Sequence, residues 1–324
     1  MTARGSARPT RRTLLSAGAA TALTGALVAA GTAAGTPSHA VPARGGPGER
    51  GGSRGHDGRT AAQLRRLEAR HRARIGAFAH NLATGATGAT VLHRAHDRFP
   101  LCSVFKPLAA AAVLRDLDRD GEVLAERIRY TEADVEADSP VTGTDEHLAT
   151  GMTVGELCDA AVRHSDNTAG NLLLRRLGGP SAVTRFCRST GDTVTRLDRW
   201  EPELNSAEPW RVEDTTTPYA VARTYARLVV GDVLEPRDRE RLTHWLLTNT
   251  TNGARFRAGL PEDWSVADKT GAGEYGTCND VGVARTPEGV PVVPAVLTRK
   301  GEADAKPDNP LVAETAALPA AAVA

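Results

Sequence analysis

Ser103 and Lys106 stand three positions apart in Ser103-Val104-Phe105-Lys106. On a helix this spacing puts a hydroxyl and an amine on one face, within reach for proton transfer, so the serine can attack a carbonyl and become acylated. Three more motifs follow in order: Ser165-Asp166-Asn167, Glu201-Pro202-Glu203-Leu204-Asn205 and Lys269-Thr270-Gly271. They add a second hydroxyl, a carboxylate with an amide four residues on, and a cation beside a hydroxyl. A carboxylate that activates water can hydrolyse an acyl-enzyme, a contribution typically of about 10²- to 10⁴-fold. Read singly, each motif has a plainer meaning. Ser-x-x-Lys is also a helix cap followed by a solvated lysine, and Ser, Asp and Asn all favour helix N-caps.

The order of the motifs, and above all the stretch Arg196-Leu197-Asp198-Arg199-Trp200-Glu201-Pro202-Glu203-Leu204-Asn205, closely resembles the class A serine β-lactamases. The likeness runs from about residue 60 to about residue 318. It implies that Ser103 is the nucleophile, and that Ser165 relays a proton from Lys106 or Lys269 to the leaving lactam nitrogen. The backbone N–H groups of Ser103 and Ala272 would form the oxyanion hole, each donor typically worth about 3 to 4 kcal/mol. Asn167 would hold the substrate's side-chain amide, and Lys269, Thr270 and Gly271 its carboxylate side. Arg255 matches a place where some members put an arginine for the same carboxylate, although a surface arginine is the plainer reading. Glu201, with Asn205, would hold and activate the hydrolytic water. Arg199 and Asp214 match an ion pair that closes the Ω-loop, and breaking a buried pair usually costs about 3 to 5 kcal/mol. A solvated charge pair is the alternative. A cis peptide before Pro202 is also implied. Either Lys106 or Glu201 fits as the base that starts acylation.

The activity implied is hydrolysis of the β-lactam ring of penicillin-type antibiotics, conferring resistance, by a monomer that needs no metal or cofactor. A penicillin-binding D,D-peptidase shares three of the motifs but lacks the Glu201 loop, and a β-lactam sensor would acylate once and stay modified. Two departures from the family stand out. Asp138 precedes Ser139-Pro140, where an aromatic wall is usual, and Ala110 occupies the position of the cysteine that often pairs with Cys158.

These groups need a framework. Ala61 to Arg74 suits a helix, while Ile75 to Leu82 and Thr90 to His93 read as a hairpin around the turn Ala83 to Gly88. Helical periodicity runs through Val104–Leu117, Val154–Arg163, Thr168–Leu177, Ser181–Ser189, Pro218–Val230 and Pro236–Thr248. Trp264–Thr270, Val281–Arg285 and Val292–Thr298 read as strands, and Pro310–Ala317 as a helix. Strands at both ends around a helical middle imply a three-layer α+β fold. Its five-stranded antiparallel sheet would come from the N- and C-terminal segments, with flanking helices and an all-helical lobe. The sheet lobe is expected over about 60–100 and 248–324 and the helical lobe over about 101–247. Pro294 fits poorly inside a central strand, so a bulge or a late strand start is expected there.

A chain of 324 residues with 40% hydrophobic content can bury a sizeable core, and with only 4% aromatics, aliphatics and alanine must fill it. The formal charge of +1 is misleading: four arginines and no acid lie in the first 40 residues, leaving 36 basic against 39 acidic residues beyond. That balance offers no basic stripe for a nucleic-acid partner. Thr10-Arg11-Arg12-Thr13-Leu14-Leu15, the uncharged stretch Ser16 to Gly35 and Ser38-His39-Ala40 read as a twin-arginine export signal over 1–40. An N-terminal membrane anchor is the alternative; after signal removal no stable anchor would remain. Residues 41–59, rich in Gly, Arg and Pro, read as a disordered linker before a catalytic domain over 60–324. Cys102, Cys158, Cys187 and Cys278 lack metal-site spacing and read as buried free thiols. Gly271-Ala272-Gly273-Glu274-Tyr275-Gly276 fits a dinucleotide-binding pattern, but a strand follows it where a helix would be needed.

Overall fold

The computed structural model describes residues 52–83 and 89–323. At its centre is a five-stranded antiparallel sheet in the order β2-β1-β5-β4-β3. The strands are β1 (Arg74–Asn81), β2 (Thr90–His93), β3 (Ser265–Gly273), β4 (Thr277–Arg285) and β5 (Pro291–Arg299). The first and last strands pair along their length, so the sheet is assembled from both ends of the domain, as the strand pattern implies. Successive side chains point to opposite faces. On β5, Val293, Ala295 and Leu297 enter the large core shared with the helical region, whereas Val292 and Val296 enter a second core on the other face. Burial on both faces explains why this strand reads as an unbroken apolar run and not as an alternation.

Helices α1 (Gly52–His71) and α8 (Asn309–Val323) cover one face, and α6 (Pro218–Val229) the other. The longer of the other helices are α2 (Lys106–Ala112), α3 (Val154–Arg163), α4 (Asn167–Leu177), α5 (Ser181–Ser189) and α7 (Pro236–Leu247), and two short ones span Asp145–Thr150 and Phe256–Gly259. On α3, Val154, Leu157, Cys158, Ala161 and Val162 form one buried stripe at helical spacing, and Thr153 with Glu156 closes a reciprocal cap at its start. Helix α2 is buried at every residue, and its four consecutive alanines let α3, α4, α5 and α7 pack around it. A 3₁₀ turn, Cys102–Phe105, leads into α2. Ser103 therefore sits at the entry of the most enclosed helix in the described chain.

Several expectations are corrected. Helix α1 begins at Gly52, so residues 52–59 are helical and not linker; once the turns carrying Leu64 and Leu67 are packed, extending a helix costs little. The export segment, residues 41–51 and the turn residues 84–88 lie outside the described residues. Pro294 causes neither a bulge nor a late start. It keeps its register opposite Ala79, and only the pairing of Val293 and Pro294 with β4 lapses, which absorbs the missing N–H. Helix α6, placed by chain position in the helical lobe, packs on the sheet. Strand β3 continues through Gly273, and α8 runs past Pro319 to Val323. All four cysteines are free and buried. Among the described residues no helix is long and apolar enough to cross a membrane.

Candidate active site

A cleft of about 580 Å³ opens between the edge strand β3 and the helical region, lined by Ser103, Asp138, Ser139, Pro140, His164, Ser165, Asn167, Asn205, Thr251, Arg255, Thr270, Gly271 and Ala272. The sequence motifs converge on it from four separate segments. Lys106 Nζ lies 3.0 Å from Ser103 Oγ and 3.1 Å from Glu201 Oε1. Ser103 Oγ donates to Glu201 Oε1 at 3.2 Å. Thus one hydroxyl contacts both groups that could take its proton. Neither the Lys106 nor the Glu201 side chain is exposed to solvent.

Each member is held by further bonds. Lys106 Nζ also donates to the Ser165 carbonyl at 2.6 Å and Asn167 Oδ1 at 2.7 Å, and reaches Ser165 Oγ at 3.5 Å. Ser165 itself adopts a left-handed backbone, φ 59°, which turns the chain sharply ahead of α4. Asp166 caps that helix by accepting from Ala169 N at 2.8 Å, so the capping reading of this motif holds, while Ser165 and Asn167 line the cleft. The same buried carboxylate accepts from Val141 N and from Thr142 N and Oγ1, fixing the loop that carries Asp138 to Pro140. Asn167 Nδ2 donates to Ala137 O at 2.9 Å. An amide has two N–H groups and two lone pairs, so each end keeps one valence for a ligand.

The turn bearing Ser103 is gripped from three sides. Tyr225 donates to Val104 O at 2.7 Å, Asn279 Nδ2 to Pro100 O at 2.9 Å, and Leu101 N to Asp214 O at 2.7 Å. Cys102, just before the serine, has φ 46°. The glycine of the Lys269 motif is required by proximity: a Cβ on Gly271 would lie 3.3 Å from Ser103 N and from Cys102 Cβ. Ala272 and Ser103 both line the cleft, and β3 is the edge of the sheet, where alternate N–H groups lack a strand partner.

Glu201 comes from a loop closed by charge. Arg199 Nε donates to Asp214 Oδ2 at 2.6 Å, and the other Asp214 oxygen accepts from Asp198 N and Arg199 N. Asp214 is buried while Arg199 is about a quarter exposed, so the pair is neither solvated nor fully enclosed. The Glu201–Pro202 peptide is cis, as the resemblance implies. Asn205 Nδ2 donates to Glu201 Oε2 at 2.5 Å. A contact absent from the sequence reading fixes the backbone of Glu201: Asn171 Nδ2 donates to Glu201 O at 2.9 Å and Asn171 Oδ1 accepts from Glu201 N at 3.0 Å. Asn171 lies one helical turn after Asn167, so its place on the site-facing side of α4 is a signal the spacing carries.

On the opposite wall, Lys269 is fully buried and donates to Thr270 O at 2.9 Å. Burial above all, then Lys106 and Arg255, push its amine well below the ordinary lysine range. Arg255 is no surface arginine. It is 8% exposed, bonds the carbonyls of Gly271 and Asn279 through Nη1 and Asn309 through Nε, and still reaches the cleft. Thr251, which the sequence reading passed over, lines the cleft with its hydroxyl against that of Thr270. Asp138 stands exposed at the mouth, where an aromatic wall would otherwise be.

Comparison with known proteins agrees with this geometry. Residues 59–321 match the family described as the Beta-lactamase enzyme family. A β-lactamase of Streptomyces lavendulae is 58% identical, covering 98% of each chain. The solved β-lactamase of Streptomyces albus G superposes with a TM-score of 0.79 at 58% identity, covering 81% of this chain and 98% of that one. A solved mutant of the class A β-lactamase inferred for the last common ancestor of Gram-negative bacteria, bound to a transition-state analogue, gives 0.76 at 49% identity, covering 81% and 98%.

The Asn171 clamp makes a stability prediction. Asn171→Ala leaves the buried N–H and C=O of Glu201 without their partner and is expected to cost about 1 to 3 kcal/mol in denaturant unfolding. A loss near zero would show that the clamp does not hold the loop.

Proposed function

The chain belongs to the β-lactamase enzyme family, and from this premise we propose that it hydrolyses the β-lactam ring of penicillin-type antibiotics through an acyl-enzyme on Ser103, in the class A manner, conferring resistance. The observation that carries the reading is Glu201 within 3.2 Å of Ser103 Oγ, alongside Asn205. That distance lets the carboxylate act on the serine directly and sets it beside the ester that a water must attack. A D,D-peptidase has no use for such a carboxylate, and a sensor would do better without it.

In this mechanism Ser103 Oγ attacks the lactam carbonyl as its proton passes to Lys106 or Glu201. The oxyanion is received by the N–H groups of Ser103 and Ala272. As the C–N bond breaks, Ser165 passes a proton to the nitrogen, replenished from Lys106 or Lys269; Lys106 lies within reach of the Ser165 hydroxyl. Water then attacks the ester, giving its proton to Glu201, and the serine leaves reprotonated. Asn167 holds the substrate's side-chain amide. Lys269, Thr270, Gly271 and Arg255 receive the carboxylate. The Arg199–Asp214 pair keeps the loop, and with it Glu201, in place. The enzyme is a monomer exported through a twin-arginine signal in residues 1–40, a reading supported by Arg11-Arg12 and the uncharged stretch that follows.

Mass spectra taken after mixing with a penicillin are expected to show hydrolysed drug and, once it is exhausted, protein at its original mass. A lasting mass gain in the unmutated protein would overturn the reading. Lys269 forms an ion pair with a substrate carboxylate only while its amine is charged. Because its pKa is depressed, kcat/KM for anionic β-lactams is expected to fall as pH rises through a value below that of an ordinary lysine. Lys269→Arg should move this alkaline limb upward; an unmoved limb would assign it to another group.

A further inference from the structure

Behind the carboxylate side of the cleft, two acids share a dry space. Asp268 precedes Lys269 on β3, Asp280 lies on β4, and both are 0% exposed. Asp280 pairs with Thr270 and Asp268 with Gly282, so the two carboxyls are diagonal neighbours on one face of the sheet. Gly282 makes the room: a Cβ there would lie 2.7 Å from Asp268 Cβ. Asp268 Oδ1 accepts from Asn252 Nδ2 at 2.5 Å and Asn249 Nδ2 at 3.3 Å, and Asp280 Oδ2 accepts from Phe256 N at 3.1 Å. The other two oxygens, Asp268 Oδ2 and Asp280 Oδ1, are buried and have no donor among the described residues.

Two ionised carboxylates cannot share such a space, whereas one proton between them turns the repulsion into an O–H···O bond and satisfies both orphaned oxygens. The geometry points to Asp268 and Asp280 as a single-proton carboxyl pair, Asp280 protonated and Asp268 ionised, that positions the residues receiving the substrate carboxylate. The proton belongs on Asp280 because two amide donors favour the ionised form of Asp268. Burial pushes both carboxyls up, Asp280 well above the ordinary range.

The pair lies where three segments cross. Asp268 holds Asn249 and Asn252, which flank Thr251; Asp280 holds the backbone of Phe256, next to Arg255; and Asp268 is the chain neighbour of Lys269. The charged and titratable groups facing the pair are Lys269, Arg255, Arg257, the Tyr225 phenol and the Cys278 thiol. A single negative charge balances these cations where two would repel each other. Asp268 and Asp280 touch no reacting atom, so they are positioning residues.

The kinetic part of this inference rests on the β-lactamase reading; the shared proton does not. Infrared difference spectra of the full chain at neutral pH are expected to show a deuterium-sensitive carboxylic acid C=O band that vanishes in Asp280→Asn. Asp280→Ala removes the bridging proton and the bond to Phe256 N, and KM for an anionic penicillin is expected to rise about tenfold with kcat held within about threefold. Asp280→Asn should restore KM, because an amide N–H can replace the acid O–H. The raised pKa also sets a sign. Stability from the protonated acid is complete below the ordinary aspartate pKa and is lost as pH rises through the folded value, so the Tm of Asp280→Asn should gain on that of the parent with rising pH. Absence of the band in the parent, or an asparagine variant that fails to restore KM, would overturn the inference. Should the alanine variant fail to fold, the band and the pH dependence of the asparagine variant's Tm decide it. A chain that turns over no β-lactam while showing the band would sink the functional reading and leave the pair standing.

Discussion

Lys106 and Glu201 form an ion pair at 3.1 Å with neither side chain exposed, and Ser103 lies within a hydrogen bond of both. Taking an ammonium and a carboxylate out of water costs several kcal/mol per ion, and mutual attraction alone does not restore it unless the remaining valences are filled. Here they are. Lys106 has three further acceptors in the Ser165 carbonyl, the Asn167 side chain and the serine hydroxyl. Glu201 receives the Asn205 amide, and its backbone is clamped by Asn171. The charges stay paired in a position where they can exchange a proton with one hydroxyl.

That requirement explains much of the surrounding fold. Helix α2 must be enclosed to keep its first residue dry, which its alanine run permits by letting four helices approach closely. The serine turn must be rigid, and it is tied to α6, β4 and the loop end at Asp214 by separate hydrogen bonds. The two halves of the site are joined at Asp214, which holds Arg199 through its side chain and Leu101 through its carbonyl. A change that loosened this aspartate would therefore disturb nucleophile and loop together. The cation-rich wall is a second, separate problem in burial: Lys269 and Arg255 lie behind the surface, and the single negative charge of the Asp268–Asp280 pair faces them.

The residues that touch the reacting groups were legible because each belongs to a short motif whose spacing has a chemical meaning. Helix boundaries were readable where start signals are explicit, as at the Thr153 cap and at Pro218 in the first helical position, and the sheet order followed from strands at both ends of the chain. What escaped was set by tertiary contact. The glycine-rich run after Thr270 looks like a turn, yet β3 carries on through it because Gly271 must pass close to Ser103. Pro294 looks like a strand breaker, but its missing donor costs only local pairing. Asn171 and Thr251 act through partners 30 and 19 residues away; only the one-turn spacing from Asn167 marks the first, and no local pattern marks the second. The helix over residues 52–59 contradicts composition, since its support comes from packing further along the same helix.

The central claim is that the Glu201 carboxylate activates the water that hydrolyses the ester on Ser103. Rapid-quench mass spectrometry of Glu201→Gln with a penicillin, resolving acylation from deacylation, tests it directly. The account requires an adduct of drug mass on Ser103 that persists while the unmutated enzyme has already returned to its original mass, a slowing of deacylation by at least about 10²-fold. Deacylation by the glutamine variant at close to the parental rate would contradict it, because the water would then be activated by some other group.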